Sequence, residues 1–386
     1  MDGQKQTDLP HPAAPLSTPK PPKQHWWLRL RHWIITHKKA SVAIGVGIVV
    51  VLAGAGVGLY FLFKPEPTKP VTATPEPAKA APAPEKPKYY SPLTGLEVPD
   101  EAATKAEVTG IMIENSQWAR PQSGLDDAGV VFEAIAEGGI TRFAALYQQA
   151  KPDLIGPVRS LRPYFLDWMA AFDASIVHIG GSANALNEVR NGQYKDADQF
   201  FNGQYFWRAT DRYAPHNVYT SFAKLDELNQ AKGYTSSEFT GFPRKNDEPS
   251  TTPDATSIDI DISYNLFNVH YDYNKGCNCY LRKMAGEPHI DRESGSQIEA
   301  KTVIVMKIPT TIGFEDGYRE QMTTIGSGTV YVFQDGKVAV GTWDKKGRKD
   351  QITFTNESGD VIKLDRGKTW ITAVDTNPQI ERVQWQ

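Results

Sequence analysis

Arginines set beside glycine and proline are the residues of this chain best placed to do chemistry. Arg120 precedes Pro121, Arg142 follows Glu137-Gly138-Gly139, and Arg159 and Arg162 flank Ser160 in Arg159-Ser160-Leu161-Arg162-Pro163. Ligand sites concentrate in loops, and a guanidinium fork matches carboxylate or phosphate oxygens two at a time. The Arg159–Pro163 segment joins a predicted strand to a predicted helix, with Pro163 suited to the first helical position. Free N–H groups at that helix start, with two forks nearby, would form an anion site. The opposite reading pairs Arg142, Arg159 and Arg162 with Glu133, Glu137 and Asp167 as structural ion pairs, and the nearly balanced local charge favours it. The two readings differ in whether four guanidiniums meet in one open hollow or are neutralised one by one.

Two histidines are candidate general bases. His178 lies in an apolar run just ahead of Gly180-Gly181-Ser182; His216 lies in the turn Pro215-His216-Asn217, close in sequence to Arg208 and Arg212. The plainer reading ties each by hydrogen bonds. Ser182 suits a helix N-cap, and Gly-Gly-Ser is not the elbow of a serine hydrolase. The candidate binding set is Arg120, Glu137, Arg142, Arg159, Ser160, Arg162, Arg208, Arg212, His216 and Asn217. Cys277-Asn278-Cys279 lacks the two further ligands of a structural zinc, so a local disulfide is expected and no metal. There is no phosphate-loop, dinucleotide or H-E-x-x-H motif, so no cofactor is expected.

These residues need elements to hold them. Val108–Glu114, Arg142–Gln148, Leu154–Val158 and Ser175–Ile179 read as strands, with Val130–Glu137 open between strand and helix. Pro163–Phe172, Ser182–Arg190 and Phe222–Ala231 read as helices. The alternation predicts an α/β (α+β) layer domain over 89–242. Residues 243–257, polar and proline-rich, read as a linker. Beyond them 258–386 reads as a smaller, mainly-β domain, with Asp335-Gly336 as a type I′ hairpin turn between Val330–Gln334 and Lys337–Trp343.

The first 88 residues differ in kind. Residues 40–63 hold no charge over 24 positions, enough at about 1.5 Å per residue to cross a hydrocarbon layer of roughly 30 Å. A secretory signal core is shorter and sits nearer the start. Seven Lys/Arg against two acids in 1–39, with Trp26, Trp27 and Trp33, predict a basic, disordered cytoplasmic tail. The Pro/Ala-rich stretch 64–88 predicts a semi-rigid stalk. The expected partner of 40–63 is the lipid bilayer, with the body outside. That body carries 30 basic and 40 acidic residues over 89–386, which argues against nucleic acid as a partner.

Ser91-Pro92-Leu93-Thr94-Gly95-Leu96, Ala119-Arg120-Pro121-Gln122-Ser123-Gly124-Leu125, Glu137-Gly138-Gly139-Ile140-Thr141-Arg142-Phe143 and Ile155–Phe165 follow one another in order. His178-Ile179-Gly180-Gly181-Ser182, Phe206-Trp207-Arg208 and Ala214-Pro215-His216-Asn217-Val218-Tyr219 complete the series. Together they resemble the YerB family of bacterial extracytoplasmic proteins, a domain family of unknown function. The stretch with Asp335-Gly336-Lys337 and Gly341-Thr342-Trp343 resembles that family's β-rich C-terminal part. The resemblance implies a location and a two-part layout but no reaction. Many relatives look like lipoproteins, whereas this chain has no Cys at its apolar span.

Three readings of function follow. In the first, a tethered envelope module binds an anionic or glycan wall ligand through the arginines, with Trp168, Phe206, Trp207 and Tyr213 as stacking candidates. In the second, an envelope phosphotransferase or hydrolase acts on lipid-linked precursors. Thr141-Arg142 followed by Arg159 is similar to LytR–CpsA–Psr phosphotransferases, although Ala144 stands where their acidic residue is expected. In the third, the β-rich part is a scaffold for membrane proteins.

Overall fold

The computed structural model describes residues 26–63 and 87–386. The chain divides into two units, Met1–Pro84 and Glu85–Gln386. In the first, helix α1 (Trp26–Thr36) is followed by α2 (Lys38–Leu62). Residues 26–36 lack glycine and proline, the two residues that break helices; their helix corrects the expectation of disorder through residue 39. By length and composition α2 suffices to cross a membrane. The expectations for 1–25 and for 64–86 lie outside the described residues.

In the second unit the N-terminal half supplies β1 (Thr109–Glu114), β2 (Val130–Glu137), β3 (Ile140–Tyr147), β4 (Ser175–His178) and β5 (Lys195–Asp198). Helices α3 (Pro163–Ala170), α4 (Ala183–Asn191) and α5 (Phe222–Lys232) accompany them. Their ends follow local chemistry. Pro163 opens α3, Ser182 and Ser221 accept capping bonds from Ala185 and Lys224, and Gly233 closes α5 in the left-handed region. The ambiguous segment at Val130 is a strand because it is buried between two neighbours on the sheet. Leu154–Val158 forms isolated bridges and no strand.

The C-terminal half begins with β6 (Ser257–Ile260), β7 (Val269–Asn274) and β8 (Cys279–Met284). Next come β9 (Thr302–Ile308), β10 (Thr310–Gly313), β11 (Arg319–Met322), β12 (Gly326–Gln334) and β13 (Lys337–Lys345). It closes with β14 (Thr353–Asn356), β15 (Thr369–Asp375) and β16 (Val383–Trp385). Asp335 and Gly336 both have positive φ, as the predicted turn requires.

The two halves share one sheet, in the order β14-β13-β12-β9-β15-β2-β3-β1-β4-β5, with β11 joined to β2 and β10 to β11. The separation into two domains is therefore corrected. β15 runs parallel to β2, matching Trp370 with Val131. The supposed linker is fastened too. Arg244–Lys245 pair with Leu364–Asp365, and Lys245 bridges Asp335 and Asp365. Opposite faces of the sheet carry separate cores. Met112, Phe132 and Ala144 pack with α3 and α4 on one face. Ile111, Val131 and Phe143 pack with α5 and a second sheet containing β6, β7, β8 and β16 on the other.

Strand direction decides where the polar ends gather. β1, β2 and β4 run the same way, β4 is parallel to β5, and β3 is antiparallel to both β1 and β2. Glu114, Glu137, His178 and Asp198 therefore end their strands at one edge, beside Arg142 near the start of β3. In mixed α/β sheets such carboxyl edges are where ligand sites form.

Candidate functional site

Cross-strand register places Glu114 opposite Arg142 at this edge. The Gly138-Gly139 turn returns the chain so that Glu137 reaches Arg142 (2.7 Å) and Arg162 (2.6 Å). Arg142 also donates to the Ser160 carbonyl, and Arg162 to that of Leu161. Burial works against the charge on Glu137, but attraction and hydrogen bonds from both guanidiniums overcome it and hold its carboxyl at about 2. Arg142 and Arg162 are themselves buried. An internal carboxylate thus occupies the forks expected to take an external anion.

Glu114 holds a second group. One oxygen lies 3.3 Å from Arg159 Nε, and the other 2.6 Å from His216 Nδ1. Ser116 Oγ stands 3.3 Å from the same ring nitrogen. His216 is part-exposed, and its Nε2 meets no hydrogen-bond partner among the described residues. A carboxylate that orients an imidazole and leaves its second nitrogen open is the arrangement of a general base. Glu114 and Ser116 were missed by sequence reasoning, because nothing in the spacing of residues 114 and 216 indicates that they touch.

Arg120, Arg208 and Arg212 are bonded differently. Arg120 donates to the side chain and carbonyl of Asn115 and lies 5.0 Å from the centre of the Phe267 ring. Burial lowers it to about 10, which leaves it charged at neutral pH. Arg208 donates to Asn217 Oδ1, and Arg212 to the carbonyls of Trp118 and Pro121. Asn217 in turn donates to the carbonyls of Ala209 and Arg212. Among the described residues none of the three has a carboxylate within 4 Å; Asp211, the neighbouring acid, pairs with Arg292. Around them Trp118 is 68% exposed, Trp207 36% and Tyr213 91%. Trp168 and Phe206 are core residues, which corrects their candidacy for stacking.

The four arginines singled out first therefore do not share a hollow. Arg142 and Arg162 are sealed on Glu137, Arg159 is held by Glu114, and Arg120 is held by Asn115. Of the expected ion pairs, the one with Glu137 forms. Glu133 instead pairs with Arg282 from β8, both fully buried, and also accepts from Trp370 Nε1. Asp167 accepts from Thr324 and faces Arg348. His178 is fully buried between the Gly180 carbonyl and Asp196, out of reach of a substrate, which corrects its candidacy as a catalytic base. Cys277 and Cys279 are disulfide-bonded.

Residues 93–235 match the family described as "Protein of unknown function (DUF3048) N-terminal domain", and 258–371 match its C-terminal domain. The chain is 33% identical over 293 residues to YerB of Bacillus subtilis (strain 168), named as a candidate lipoprotein; the match spans 74% of this chain and 86% of that protein. The chain belongs to the DUF3048 family. A crystal structure of YerB from Bacillus subtilis superposes with a TM-score of 0.69 at 30% identity, over 78% of this chain and all of the other. Within DUF3048 the break between the two matched parts falls at the polar stretch read from the sequence, although the folded body joins both parts through one sheet.

Proposed function

We propose that this DUF3048 protein is held at the cell membrane by α2 and binds an anionic, sugar-bearing envelope ligand at the carboxyl edge of its main sheet. One observation carries the reading. Arg120, Arg208 and Arg212 are bonded only to neutral oxygens, in a body of net negative charge, beside exposed Trp118, Trp207 and Tyr213. Cations already fixed by neutral acceptors keep their charge for a ligand and lose little freedom on binding. Aromatic faces beside them suit sugar rings. The span α2 and the lipoprotein description of the relative support a location at the membrane.

The test is co-sedimentation of the full chain in detergent micelles with isolated bacterial cell walls, with soluble poly(glycerol phosphate) as competitor. Wild-type protein should sediment with the walls and be released by the competitor and by salt. Changing Arg208 and Arg212 together to Ala should weaken binding about tenfold or more, two charge-assisted contacts being worth roughly 1.5–3 kcal/mol each. Undiminished binding by that variant overturns the reading.

A second reading, an envelope phosphotransferase or hydrolase, is favoured by the Glu114–His216 pair with its open Nε2. Incubation with polyprenyl-pyrophosphate-linked glycan should then show turnover that His216→Ala abolishes. An absence of turnover by wild-type protein removes it.

A further inference from the structure

Away from the arginine rim, a cavity of about 310 Å³ lies between the start of α3, the start of α4 and the hairpin formed by β10 and β11. Asp167, Glu188 and Glu320 face it, with Arg348 as the cation in its wall. Arg348 is already committed, at 2.7 Å from Glu188 and 3.5 Å from Asp167. One oxygen of Asp167 accepts from Thr324 at 2.6 Å; the other is buried without a hydrogen bond. Glu320 is 5% exposed and has neither hydrogen bond nor ion pair among the described residues. Lys345, the other nearby cation, is fully buried and donates to the carbonyls of Arg348 and Asp350.

A buried carboxyl with no partner is unfavourable, and proteins retain one where a ligand completes it. Burial pushes both Asp167 and Glu320 upward, and Asp375 adds repulsion at Glu320. Three carboxyls against one shared guanidinium leave the cavity wanting positive charge. Among the described residues Asp167, Glu188 and Glu320 do not come close enough together to form a metal cage. Asn184 and Asn187, one helical turn apart, also line the cavity and offer amide groups to hydroxyls.

We propose that this cavity binds a small organic cation of the amino-sugar or amino-alcohol class, its primary ammonium held by Glu320. The site is separate from the arginine rim, so absence of wall-polymer binding would leave this proposal standing.

Titration calorimetry of the full chain in micelles tests it, with glucosamine, ethanolamine and the neutral amide N-acetylglucosamine as probes. Saturable binding of glucosamine is expected, with N-acetylglucosamine at least tenfold weaker. Glu320→Gln should weaken glucosamine at least tenfold while keeping the wild-type melting transition. If that variant fails to fold, Asn187→Trp, which fills the cavity from its mouth, should abolish binding instead. No saturable glucosamine binding by wild-type protein, equal affinity for the neutral amide, or unchanged binding by the variant that folds overturns the proposal.

Discussion

At the scale of single residues, the body treats its buried arginines in two ways. At Arg142, Arg162 and Arg282 a carboxylate accompanies the enclosed guanidinium, because an unpaired buried charge is costly. At Arg244 three backbone carbonyls and the Thr369 hydroxyl surround it instead. Glu137 shows what the first kind contributes. Its folded carboxyl lies at about 2 against 4.5 for the free group. Its stabilisation is therefore complete above pH about 4.5 and fades as pH falls towards 2, with a ceiling of about 3 kcal/mol. Glu137→Gln should lose about that much at pH 7 by denaturant unfolding and show a shallower fall in stability between pH 4.5 and 2. Parallel stability–pH curves for variant and wild type would refute this.

Elements are held to the sheet by close backbone contact as much as by side chains. Gly341, in the middle of β13, faces Asn356 of β14, and a Cβ built there would stand 1.9 Å from the Thr355 carbonyl oxygen. The edge strand β14 pairs with β13 because this position has no side chain. Gly341→Ala should detach β14, seen as lost hydrogen-exchange protection at 353–356 and a stability loss of roughly 1–3 kcal/mol. Protection equal to wild type would show that the strand shifts without cost. The strands and helices themselves were largely legible: α3, α4, α5 and the Asp335-Gly336 hairpin lie within a residue or two of expectation, since periodicity, proline and serine caps act locally. Leu154–Val158 misled because an apolar run looks the same whether it joins a ladder or only bridges neighbouring loops.

For the whole molecule, the shared sheet is the main correction. Strands β9 and β15, from the C-terminal half, sit between β12 and β2, and Glu133 meets Arg282 across the two matched parts. Cutting after residue 257 would expose the long apolar edge of β2 and leave Glu133 without its partner. A protein truncated there should aggregate or show no cooperative melting. Co-expression of 258–386 should restore a soluble complex detectable by gel filtration. A soluble, cooperatively melting 89–257 fragment would contradict the single-body reading.

The sequence by itself determined the family, the apolar span, the polar break near residue 250, most helices and strands, and the identity of the polar residues near the edge. These depend on composition and on contacts within a few residues. Only the tertiary structure decided which charges cancel. Glu114 and His216 are 102 positions apart, Glu133 and Arg282 are 149 apart, and Glu320 and Asp167 line one cavity. A guanidinium is a structural tie or a free cation according to whichever carboxylate strand register brings within reach, and register over such separations is set by packing of the whole body.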